Sequence, residues 1–193
     1  MANENAFTKV VGHVLVQDAN TNEVLLDKNN AIHPQNMARV IARALANEDN
    51  AYIFKMILGN GGTHIDAGLN ITYLEPNTVG TTASLYNKTY EEIIDDTHVN
   101  VGIGNSVISA ASPDPAITSV VTATLELSSD EPAGQAPSDG ETTDPDSTFT
   151  FDELALVTAD SPELMLSHII FSPIEKSANR SIIITYTLTI SVS

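Results

Sequence analysis

Cysteine and tryptophan are both missing from the 193 residues. Without cysteine there is no disulfide and no thiolate chemistry, so stability has to come from packing or from assembly. Basic residues are scarce: eight Lys and Arg stand against 25 Asp and Glu, a net charge of −17. Phosphate recognition needs a Lys/Arg surface, which speaks against nucleic acid as a partner. Docking on an anionic membrane is disfavoured for the same reason. No stretch approaches 18 consecutive apolar residues, so no membrane-spanning helix is expected. The opening Met1-Ala2-Asn3-Glu4-Asn5-Ala6-Phe7 lacks the basic and then apolar segments of a secretory signal. Apolar residues make up 42%, too many for general disorder. The expectation is one domain over residues 1–193.

The charge is unevenly placed. No Lys or Arg falls between Lys88 and Lys176, an interval holding 17 of the 25 acids. Ser128–Thr148 is its extreme, with six acids, three prolines, two glycines and no apolar period. It reads as a long exposed acidic loop. Calcium ligation by Asp139, Glu141, Asp144 and Asp146 is one reading of it. Their spacing lacks the sixth-position Gly and twelfth-position Glu of an EF-hand, and a solvated acidic loop is the other reading.

Most of the remaining chain alternates with period two. Lys9–Gln17 and Glu23–Asp27 flank a turn-rich stretch and read as a hairpin. Ser119–Leu127 sets Val121, Ala123, Leu125 and Leu127 on one face and Thr122, Thr124 and Glu126 on the other. Near the C-terminus Ile182, Ile184, Tyr186, Leu188, Ile190 and Val192 alternate with Thr185, Thr187, Thr189 and Ser191, the mark of a sheet with one buried face. Phe149–Val157 and Leu164–Phe171 add two further strands. Ala51–Leu58 is a continuous apolar run that stops at Gly59-Asn60-Gly61-Gly62 and reads as a buried strand. Ile65–Asp96 is irregular, with a helical turn or short strand about Tyr86–Ile94. One helix is expected near 35–47, opened by Pro34 at a position where its missing N–H costs nothing. Met37, Val40, Ile41, Ala44 and Leu45 form its apolar stripe, and Val40, Ile41, Ala44 and Leu45 are expected to pack on the sheet. Arg39 and Arg43 lie off that stripe and read as solvated. Together these elements predict a mainly β fold, an antiparallel β-sandwich of jelly-roll-like type with one packed amphipathic helix.

No catalytic, cofactor-binding or metal-ligating set emerges. Gly59-Asn60-Gly61-Gly62-Thr63-His64 is similar to a phosphate loop after a strand, but His64 stands where a third Gly is needed, and no helix pattern follows. The alternative is a plain strand-ending turn. His13, His33, His64, His98 and His168 are dispersed, with no pair at i, i+4. His13 and His168 fall inside strands and read as strand residues. No G-x-S-x-G elbow occurs.

One resemblance covers both ends of the chain. The strand and turn Ile53–Thr63, the step Phe151-Asp152-Glu153-Leu154-Ala155-Leu156, the step Leu164–Ile174 with Phe171-Ser172-Pro173-Ile174, and the Thr-alternating Ile184–Ile190 follow one another after a single helix at Gln35–Asn47. This order resembles a group of tailed-bacteriophage virion proteins. The resemblance implies a non-enzymatic structural component on the virion exterior, as capsid decoration, neck/collar or tail protein, assembled in the host cytoplasm. It implies no cofactor, and as partners other virion proteins, such as the major capsid, portal/neck or tail proteins. A homo-oligomer is expected, a trimer on a head or a ring at a neck. The charge favours a basic docking surface on the partner. The alternative is a carbohydrate- or receptor-binding β module of a tail fibre, weakened by the lack of tryptophan. A hydrolase using loop carboxylates is a third.

Overall fold

The computed structural model describes residues 7–111, 118–129, 131–132 and 148–192. In chain order the elements are β1 (Thr8–Asp18), β2 (Val24–Ile32), α1 (Pro34–Leu45), β3 (Ile53–Gly59), β4 (Thr63–Ile65), β5 (Ile71–Tyr73), β6 (Lys88–Ile93), β7 (Ser106–Ala111), β8 (Thr118–Leu127), β9 (Thr148–Thr158), β10 (Ser167–Ser177) and β11 (Ile182–Val192). Nine strands form one antiparallel curled sheet, ordered β6-β3-β9-β10-β2-β1-β11-β8-β7, while β4 and β5 pair separately. The expected mainly β, sandwich-like fold with a single helix is what the chain adopts.

The curl has a local cause. β2 and β10 share only two residue pairs, Ser167↔Ile32 and His168↔Ala31. On one side of this seam lies a wing of β2, β1, β11, β8 and β7. On the other lies a wing of β10, β9, β3 and β6. Their inner faces make one apolar core. The first wing supplies Val14, Val16, Leu125, Leu127, Ile182, Ile184, Tyr186 and Leu188, and the second Met56, Leu58, Phe151, Leu154, Leu156, Ile169 and Phe171. Removing each such side chain from water is worth about 1.5–3 kcal/mol. The alternation along β11 is therefore imposed by the core. It fades at the strand's end, where Ile190 is half-buried and Val192 exposed.

The second wing is covered on both faces. Met56 and Leu58 of β3 face the main core, while Ile57 packs with Leu85, Ala155, Val157 and Met165 beneath residues of the long β3–β6 connection. Burial on both faces is why β3 reads as an unbroken apolar run. The stretch about Tyr86–Ile94 resolves as strand β6, not a helical turn. β4, β5 and β7 had no sequence counterpart.

α1 begins at Pro34 as expected, and His33 caps it: its Nδ1 accepts from Asn36 N–H at 3.2 Å and its Nε2 meets Gly80 O at 2.8 Å. The burial of the stripe differs from the expectation. Met37 and Val40 are buried and Ile41 is half-buried, but Ala44 is exposed and Leu45 is 86% exposed. The first turns are tied down by Asn36 Nδ2–H donating to Met165 O at 2.9 Å, whereas the last turn is held at its rim by Arg43. Arg43 is not simply solvated: it pairs with Asp160 at 2.8 Å and Glu48 at 3.0 Å and donates to Asp49 O. Towards its end the helix stands off the sheet: Leu45 lines an open groove with Thr8 and Val10 of β1, and Ala44 lines one with Val121 of β8 and Leu188 and Ile190 of β11. Among the described residues no helix is long and apolar enough to cross a membrane.

Candidate functional site

The densest cluster of buried ionisable groups forms where β9 loses its alternation. Phe151 and Leu154 both point into the main core, three positions apart. The pairing with β10 is irregular between Phe151↔Ile174 and Glu153↔Ile170, and Pro173 sits in that irregular stretch of β10, where a missing N–H is tolerated. The slip brings two consecutive carboxylates, Asp152 and Glu153, to the glycine turn that follows β3.

The turn's N–H groups are spent on them. Gly61 N–H donates to Glu153 Oε1 at 3.1 Å. Gly62 and Thr63 N–H donate to the two oxygens of Asp152 at 2.9 and 2.8 Å, and the Thr63 hydroxyl adds a short bond. Glu153 also accepts from Tyr86 N–H at 3.0 Å and Asn87 N–H at 2.8 Å. The glycines serve close approach. A Cβ on Gly59 would lie 2.4 Å from Asn87 O, and one on Gly61 would lie 2.8 Å from Asn87 N. The likeness to a phosphate loop thus has a physical basis, since the turn is an anion-binding nest, but its anions are the protein's own carboxylates.

His168 completes the cluster. Its Nε2 lies 3.0 Å from Glu153 Oε2, and both side chains are fully buried. Its Nδ1 accepts from Asn77 N–H at 2.8 Å. A nitrogen that accepts carries no proton, so Nε2–H is the donor to Glu153 and the ring is neutral. Burial pushes the Glu153 carboxyl up, but the bonds from His168, Asn87 and Tyr86 outweigh it and hold it below its ordinary value. Asp152 goes the other way: burial, helped by the neighbouring Glu153 charge, prevails over its bonds to Thr63 and Gly62 and raises it. A carboxylate behind an imidazole is half of a nucleophile-activating triad. Here the outward nitrogen is capped by main chain. The cluster acts as a clamp that pins Gly59–Asn87 over the second wing.

The other candidates lie apart. His64 is exposed on β4. His13 meets Asp27 at 2.7 Å across the β1–β2 hairpin, and His98 lies edge-on to Phe54. Arg39 is exposed. Asp139, Glu141, Asp144 and Asp146 fall outside the described residues. Among the described residues, no group of three or more His, Asp and Glu side chains is placed to hold a metal. The Asp152–Glu153–His168 clamp was not anticipated as a unit. Its signal was available: two adjacent acids inside an apolar strand, where the alternation breaks.

Comparisons with protein-family models, curated proteins and solved structures found no match.

Proposed function

We propose that this chain is a non-enzymatic structural subunit of a tailed-bacteriophage virion, exposed on the head, neck or tail as a decoration, cement or collar protein. The observation that supports this reading is the use of the buried acid–imidazole cluster. Its carboxylates and its imidazole are saturated by the chain itself, which suits a part that must hold its shape. The stretches that carry the resemblance to virion proteins are framework: β3 with its glycine turn, the β9 bulge, β10 and β11. In this reading the chain works as a homo-oligomer against other virion proteins, and its surplus negative charge meets a basic docking surface.

The test is made on purified particles. Immunogold labelling with antibody to this chain should mark one region of the particle, and a chain absent from particles would sink the reading. Rising NaCl should release the subunit if charge attracts it to its seat, because fields fade beyond a Debye length of about 10 Å in 0.1 M salt. Release by EDTA alone would point to cations bridging the acids. Retention through both washes would remove the electrostatic account.

A second reading, the carbohydrate- or receptor-binding module, is favoured by one feature. Where β2 and β10 diverge they leave a cleft of about 230 Å³ lined by Lys28, Asn29, Asn30, Tyr73 and Glu75. The Tyr73 ring is half exposed. Glycan-array binding that Tyr73→Ala abolishes would favour this reading over the first.

A further inference from the structure

The two edges of the nine-stranded sheet are treated differently. β6 is guarded by charge: Glu91 lies between Lys55 and Lys88 at 2.8 and 2.7 Å, and Glu92 accepts from Tyr90 and Asn105. Asn105 also reaches the β6 main chain at Ile93 O, and its own oxygen accepts from Glu126 N–H of β8. β7 has none of this. Its sequence, Ser106-Val107-Ile108-Ser109-Ala110-Ala111, contains no charge and no proline. Ile108 is 58% exposed, and Ser109, Ala110 and Ala111 are exposed with it. β7 pairs with β8 on one side, and among the described residues no strand pairs with the other. Natural sheets block such edges, because a row of unpaired N–H and C=O groups is a template for another strand.

We propose that β7 pairs antiparallel with β7 of a second copy of this chain about a two-fold axis, joining two sheets into one. Charge selects that occupant. A basic partner finds no acid on β7 to recognise, while an uncharged strand of equal length meets no penalty. A second copy supplies such a strand. The subunit is at −17, so two copies repel wherever acids face each other. Little of that repulsion falls along β7 itself: Glu126 is the single charged residue of β7, β8 and β11, and it and Glu92 of β6 lie against Gly102–Asn105, at the start of β7. A two-fold contact is isologous and closes, so no filament grows from it. The pairing does not depend on a virion role, and purified full-length chain tests it.

The absence of cysteine makes the test clean. Single cysteines are placed in turn at Val107, Ile108, Ser109 and Ala110, with Thr187→Cys in mid-sheet as control. Facing Cα atoms in an antiparallel pair lie about 4.5–5.5 Å apart. That is within disulfide reach of about 4.4–6.8 Å. A two-fold axis normal to the sheet sets one residue opposite its own copy, so mild oxidation should give a disulfide dimer chiefly at one of the four positions and none at Thr187. In sedimentation the wild-type chain should be a dimer. Ile108→Lys with Ala110→Lys should weaken it by on the order of tenfold or more by placing like charges across the pair, with the circular dichroism spectrum unchanged. These lysines lower the net negative charge, so bulk repulsion cannot explain the loss. A wild-type monomer, an assembly indifferent to the lysines, or cross-linking at Thr187 as readily as on β7 would overturn the proposal.

Discussion

The two wings of the sheet hold the same core by different means. The wing of β1, β11 and β8 alternates over most of its length and is organised chiefly by its apolar face, with Asp18 and Arg180 pairing at one end. The wing of β3, β9 and β10 is covered on both faces, and its second cover is a long connection that buries little of its own apolar surface: Leu85 is buried, while Leu69, Val79 and others stay exposed. Ile57, Leu85, Ala155, Val157 and Met165 make only a small cluster there. The connection is held largely by main-chain N–H groups converging on Asp152 and Glu153. Apolar packing and a buried polar clamp are thus alternative ways to fix a layer. They differ in how they fail: a core loses stability in proportion to volume, whereas a clamp strands every donor it served.

The largest expected effect comes from breaking the clamp. Glu153→Ala leaves the Gly61, Tyr86 and Asn87 N–H groups and His168 without their acceptor in a buried place, and should cost on the order of 3–5 kcal/mol in urea unfolding. Hydrogen exchange should rise first across residues 59–87 while β11 amides stay protected. Uniform acceleration along the whole chain would show that the connection and the wings are one cooperative unit. Next comes Leu125→Ala in the other wing, which should cost about 2–5 kcal/mol through a cavity in the main core. Its signature is the reverse, a global loss with no preferential opening of residues 59–87.

Acid separates the two carboxylates of the clamp. Glu153 is held below its ordinary value, so its contribution is complete above the unfolded carboxyl range, near 4.3, and is lost as pH falls through the folded value. Asp152 is raised, so its contribution is complete below its unfolded value and is lost as pH rises through the folded one. The two oppose each other in mildly acidic solution. Asp152→Asn should therefore make stability fall more steeply with acid than in the wild type, and Glu153→Gln less steeply, as read from urea midpoints between pH 6 and 3. Asp18 adds to the acid loss at lower pH. Backbone bonds from Thr21 and Asn20 and the Arg180 guanidinium bring its carboxyl down to about 2. The smallest effect is on the helix. Leu45→Asp should change stability by less than about 0.5 kcal/mol because the side chain is already in water. Val40→Asp, five residues earlier on the same stripe, should be severe, because that side chain is buried.

The contrast between Val40 and Leu45 shows where periodicity stops informing. Both satisfy the helical stripe, and nothing local distinguishes them. Their fates differ because the helix lies close on the sheet at Val40 and stands off it at Leu45, a pose in which Asn36 bonds Met165 and Arg43 bonds Asp160, 129 and 117 residues further along the chain. The phosphate-loop likeness of Gly59–Thr63 is a similar case. The donors were legible as a nest, but the anions that fill it come from β9, roughly ninety residues on. β7 is not legible in the sequence because Ser106–Ala111 is short and small-chained, and a six-residue strand of Ser, Val, Ile and Ala has little pattern to read.

The amino-acid sequence by itself determined the β class, the single helix and its start at Pro34, the alternating faces of β8 and β11, and the charge balance. These follow from period, composition and local backbone preference, which act over a few residues. The tertiary structure alone decided that the chain's two adjacent buried acids would clamp its glycine turn, that the helix would bury only its first turns, and that among the described residues β7 would have a strand on one side only. Each of these depends on which distant segments meet, and a burial or a hydrogen bond exists only once both partners have been brought together.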